Sequence, residues 1–129
     1  MRGAEPELEP AFAEMANQRI GGLMVTAWPF LTLHREQIVR LAAQRRIPAI
    51  YGFREYAAVG GLMSYGNNLK EETHQVGLYV GRILHGEKPA GLPVVQSTRF
   101  EFVINLKTAA ALGLTIPPAF MTLADELIE

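Results

Sequence analysis

Cysteine is absent from these 129 residues, which excludes disulfides and thiolate metal sites but leaves the compartment open. Charge of one sign is also missing: 12 Lys and Arg against 13 Asp and Glu leave a formal −1. With no basic field, no nucleic-acid partner is expected. No apolar run approaches the roughly 20 residues of a membrane span. Internal repeats and low-complexity tracts are lacking as well. The opening Met1 to Glu7 has one basic residue but neither an apolar stretch nor a cleavage-type site, so it does not read as a signal peptide. As written, the chain is expected to stay in the cytosol. What is present is apolar side chain, 49% of the residues. That argues against disorder and suffices for one core, hence one domain at most.

Helix and strand signals alternate. Pro10 suits a first helical position, with Phe12, Met15 and Ala16 as an apolar stripe behind it. Gly21-Gly22 breaks that helix, and Leu23-Met24-Val25 reads as a strand covered on both faces, ended by Trp28-Pro29. A second helix is expected over His34 to Arg46, then a strand over Ile47 to Tyr51 closed by Gly52. A short helix over Phe53 to Val59 leads through Gly60-Gly61 to a third strand, Leu62 to Tyr65.

Asn68 can cap the next helix with Glu71 three residues on, and Leu69, Thr73, Val76, Val80 and Ile83 share one face. Arg82 and His85 occupy its last turn and Gly86 follows. Residues 87–93 read as an internal linker. Arg99 to Ile104 alternates strictly, as in an edge or half-exposed strand. Asn105 can cap Leu106 to Leu112, Gly113 ends that helix, and Pro117-Pro118 opens a last helix carrying Phe120, Leu123 and Leu127. The fold class is α/β: a three-layer, mostly parallel sheet with helices on both faces.

Three strand ends carry loops able to line one cleft: Thr26 to Phe30, Tyr51 to Glu55, and Met63 to Asn68. Parallel strands put their carboxyl ends on one edge, where α/β sheets hold ligands. Ser64 and Tyr65 offer hydroxyls, Asn67 and Asn68 amides, and the following helix start free N–H groups. Trp28, Phe53 and Tyr65 can stack on an apolar or aromatic ligand. The plainer reading makes all of these turn residues and caps. Arg54 could grip a ligand carboxylate, or pair with Glu55 at a helix start, and the two readings weigh evenly.

Catalysis is not expected. His34, His74 and His85 lie on helices, none at ligand spacing to another, so no metal site follows. Ser64 lacks a G-x-S-x-G elbow, and Gly60-Gly61 with Gly66 makes neither a dinucleotide nor a Walker loop, so no cofactor is implied. His85 reads as a partner of the helix dipole and His74 as solvent-facing.

Three separated stretches then appear in a telling order: R-I-P-A-I-Y-G-F-R-E-Y (46–56), G-G-L-M-S-Y-G (60–66) and V-I-N-L-K-T-A-A-A-L-G-L-T-I-P-P (103–118). From about Phe12 onward the chain resembles the C-terminal portion of the ABC-transporter substrate-binding proteins. The resemblance implies a partial type I periplasmic-binding-protein fold. It also implies a receptor of two lobes that closes on a small solute, such as an amino acid or aromatic compound, and hands it to a membrane permease. Residues 1–129 would be a single partial domain, with the first lobe, the opening strands of the second and the signal peptide missing. A periplasmic or extracytoplasmic place is implied for such a receptor, and a cytoplasmic one for the chain expressed as written. The resemblance carries ligand contact onto Thr26 to Pro29, Phe53-Arg54 and Ser64-Tyr65. The competing expectation is a stand-alone cytosolic interaction module, or a truncated fragment without function, that self-associates as a homodimer through the exposed lobe interface.

Overall fold

The structure is a computed structural model, and it describes residues 8–129. Ten residues of helix α1 (Leu8–Asn17) precede strand β1 (Leu23–Val25). Helices α2 (Pro29–Leu33) and α3 (Arg35–Gln44) lead to β2 (Ala49–Tyr51). Helix α4 (Arg54–Ala58), strand β3 (Met63–Asn67) and the long helix α5 (Leu69–Leu84) follow. After a 3₁₀ turn at Pro89–Gly91 come β4 (Phe100–Asn105), α6 (Leu106–Ala111), α7 (Pro118–Leu123) and β5 (Glu126–Ile128).

The five strands form one sheet in the order β1-β2-β3-β4-β5. β1, β2 and β3 run parallel and side by side, as expected from the strand–helix alternation. β4 runs antiparallel to β3, and β5 parallel to β4. The core packs α1, α3 and α4 against the face carrying Val25, Ala49 and Tyr51, around Phe12, Ile38, Leu41 and Tyr56. Phe120 of α7 meets Phe102 edge-on, and Phe102 pairs with Tyr65, whose side chain alternates away from Ser64 and that core. Helices therefore lie on both faces, α7 meeting the second face at β4 while its β1–β2 part stays open, and the α/β, mostly parallel architecture stands.

Local signals set most helix ends. The Asn68 side chain accepts from Glu71 N–H, and Asn105 from Thr108 N–H, the two expected caps. Gly86 and Gly113 take the positive φ that closes α5 and α6. The 87–93 stretch contains one 3₁₀ turn and no longer element.

Four expectations are corrected. A helix starts already at Pro29, with the proline in its first turn, and His34 separates it from α3. β3 extends through Asn67, because β4 pairs with it as far as Asn67 opposite Phe100. β4 is interior rather than an edge, since β5 adds on its far side. Leu127 lies in that strand and not on α7, which ends at Leu123.

Candidate functional site

The carboxyl ends of β1, β2 and β3 meet at one edge, and glycine makes the meeting close. Gly52 N–H donates to the Val25 carbonyl, which ties the loop after β2 to the end of β1. A Cβ on Gly52 would stand 3.0 Å from the Ala27 nitrogen, and a Cβ on Gly66 would fall on the Gly52 carbonyl oxygen. Only bare backbone lets these three loops pack so tightly.

The six expected site residues divide by strand parity. Ser64 is paired with Tyr51 and is buried, its hydroxyl turned into the core without a hydrogen-bond partner. Tyr65, one residue on, points to the opposite face and is 55% exposed. Trp28 precedes Pro29 at the start of α2 and is 61% exposed. Phe53 is half-buried and packs against the core beneath the loop. The Asn67 amide donates to Glu72 at 2.7 Å, while its buried Oδ1 accepts from nothing. Backbone tethers thus bring the loops of Trp28, Phe53 and Asn67 to one edge, with Tyr65 on the face opposite the core. Ser64 does not reach the surface.

Arg54 is engaged, and not by Glu55. Its Nε and Nη2 donate to the two oxygens of Glu126 on β5, at 2.7 and 2.6 Å. That hydrogen-bonded partner, with its charge, holds the Glu126 carboxyl below its ordinary range. A depressed carboxylate contributes stability above its unfolded pKa and loses it as pH falls through the folded one. Both side chains are more than a third exposed, so the pair is worth at most about 1 kcal/mol. Chemical denaturation of Glu126→Gln should show a stability deficit of that size near neutrality, shrinking towards zero below about pH 4. A deficit unchanged by acid would mean that the pair contributes nothing through charge.

Several neighbours were not singled out from sequence. Phe100 stacks on Tyr65 with centroids 5.6 Å apart, and Phe102 meets Tyr65 edge-on at 6.2 Å. Alternation over 99–104 already put both phenylalanines on one face, which was the available signal. Glu101 accepts from Asn68 Nδ2 at 2.7 Å, across the foot of α5. Deeper in, burial and the nearby Tyr56 push the Tyr51 hydroxyl well above its ordinary pKa, so it stays protonated. Among the described residues no cluster of three or more His, Asp or Glu is placed to hold a metal ion.

The fold is shared with solved structures. A conserved domain protein from Vibrio cholerae superimposes with TM-score 0.85 and 24% identity over 95% of this chain and 41% of its own. The ABC domain from Streptococcus pneumonia, in complex with L-Trp, gives TM-score 0.85 and 24% identity over 96% of this chain and 43% of its own. The ligand-free, open structure of a Clostridium difficile substrate binding protein with adhesive properties gives TM-score 0.58 and 22% identity, over 89% and 39%. The chain spans less than half the length of each. No curated protein sequence matches. A family model described as ABC transporter substrate binding protein matches residues 7–128, nearly the whole sequence, and the chain belongs to that family.

Proposed function

We propose that this chain supplies one wall of a solute cleft in the substrate-binding component of an ABC importer. The solute is an amino acid or aromatic compound, and a membrane permease receives it. One observation carries the reading: three parallel strand ends converge at an edge that presents Trp28 to solvent and an unpartnered Asn67 Oδ1. Exposed aromatic rings offer stacking, and a buried free acceptor calls for a donor such as an ammonium. The Streptococcus relative was solved with L-Trp, which supports this solute class. Phe53 backs the loop, and Tyr65 with Phe100 extends the aromatic surface. Arg54, held by Glu126, shapes the edge rather than gripping a carboxylate, and Ser64 supports the loop from below. The reading is of binding and not of catalysis, because Ser64 is buried without a base. It places the working receptor outside the cytoplasmic membrane. No described helix is long and apolar enough to cross one.

A pocket of this class encloses most of its ligand, and one wall cannot. Calorimetry of the chain alone with L-Trp, L-Phe and L-Tyr is therefore expected to give millimolar affinity or none. Trp28 is the sole tryptophan, so its emission under L-Phe reports on the edge directly. In a two-lobed form of the receptor, Trp28→Ala should weaken binding at least tenfold, about 1.4 kcal/mol. Unchanged affinity in that variant would remove the edge from the solute site. Micromolar binding by the chain alone would show that one wall suffices.

A second reading has its own observation. Met24 is 73% exposed on the sheet face opposite the core, beside Ile50 and Met63 in a shallow apolar groove. A bare sheet face favours self-association as a homodimer. Light scattering on the same sample distinguishes a monomer from a dimer.

A further inference from the structure

We propose that the amino-terminal edge of the sheet is a cationic face, carried by Arg19, Arg45 and Arg46, that rests on the phosphates of an anionic lipid bilayer. The choice of a bilayer rests on the receptor reading above, which sets the protein beside a membrane; the cationic face itself does not.

Five described residues have φ between +51° and +104°, and each stands just past a helix. After α4, α5 and α6 that residue is glycine: Gly60, Gly86 and Gly113. After α1 and α3 it is Arg19 (φ 51°) and Arg46 (φ 53°). The two arginine turns close alike. Arg19 N–H donates to the Ala16 carbonyl and Arg46 N–H to that of Ala43, both at 3.1 Å, while Ile20 reaches back to Met15 and Ile47 to Ala42. Left-handed backbone strains a residue that carries a Cβ, so glycine is the ordinary choice there. The helix dipole does not explain the exception, because Arg45 already gives α3 a terminal cation at φ −90°. Strain kept at two equivalent turns points to function.

The two turns are neighbours in space. Arg19 shortly precedes β1 and Arg46 shortly precedes β2, and those strands start side by side, Leu23 N–H donating to the Pro48 carbonyl at 2.9 Å. Arg19, Arg45 and Arg46 are all exposed, and none forms an ion pair with a described residue. Glu14, the last acid of α1, accepts instead from the Gln18 amide at 2.8 Å. Lys107 and Glu129 follow the ends of β4 and β5 at the far end of the same edge, where they offset each other. At the opposite edge Arg54 stands among Glu55, Glu101 and Glu126. The sheet is therefore polarised along its strands and turns its cationic end to a negative surface. Guanidinium forks take phosphate oxygens in pairs. Exposed and spread over two strand entrances, these three suit a layer of phosphates rather than one enclosed ion.

Flotation of the chain with phosphatidylcholine vesicles, with and without about one-third phosphatidylglycerol, tests the face at low salt. Binding is expected only where phosphatidylglycerol is present, and should be lost at about 0.5 M salt. Arg19→Gly combined with Arg46→Gly should weaken it about twentyfold. The same pair should raise the melting midpoint by about 2–4 °C, because the strained turns regain glycine. Lys88→Gln with Arg99→Gln removes equal charge elsewhere and should leave binding within about twofold. A parent that ignores anionic vesicles, or binds neutral ones as well, would overturn the proposal. So would an arginine pair that binds like the parent. A pair melting below the parent would make Arg19 and Arg46 structural, and overturn it too. Displacement by pyrophosphate at constant ionic strength would assign the face to soluble phosphate instead of a bilayer. No solute enters these readouts, so their failure and that of the receptor reading are separate results.

Discussion

Gly66→Ala is expected to lower the thermal midpoint by about 10 °C or more, or to leave no cooperative transition. The added methyl would land on the Gly52 carbonyl oxygen, which is backbone and cannot swing aside. β2 and β3 must separate to admit it, and overpacking of this kind costs up to about 3 kcal/mol or more. The same displacement would move Tyr65 and Asn67, so the proposed solute edge should be lost with the stability. Gly77→Ala is the control: nothing lies within 4 Å of a Cβ there. In mid-helix that change should be neutral or add up to about 1 kcal/mol of helix preference. Calorimetric scans of both variants check the pair. A Gly66→Ala protein melting with the parent would show that the three loops do not pack as described.

Ile104→Ala should cost about 2–5 kcal/mol, read from urea unfolding at constant slope. Ile104 is wholly buried in β4, opposite Met63 on one side and Leu127 on the other. Truncation leaves a hole between three strands that hold one another by backbone bonds, and such a sheet collapses poorly around a void. Leu123→Ala, at a residue 71% exposed, should fall within about 0.5 kcal/mol of the parent. A loss under about 1 kcal/mol at Ile104 would place β4 at the sheet margin, one of the two positions that alternation alone allowed.

That contrast marks where sequence stops. The caps at Asn68 and Asn105, the glycine stops at Gly86 and Gly113, and the order of parallel strands were all legible. Each depends on groups within about four residues, or on a strand–helix alternation that admits few topologies. The convergence of the three loops followed from the same alternation. The partner of Arg54 did not: Glu55 is adjacent in sequence, yet Glu126, 72 positions away, holds the guanidinium. Nor did the parity of Ser64 and Tyr65, because either could face the core until pairing with Tyr51 settled the register. Leu127 fits an apolar helical stripe with Phe120 and Leu123. It became a strand because β4 offered an unpaired edge, where Asp125 N–H donates to the Phe102 carbonyl and the Phe102 N–H to the Asp125 carboxylate. The amphipathic face of α5 was equally readable, and its lack of cover was not. A sequence states which face is apolar, whereas what covers it depends on groups distant from it in the chain.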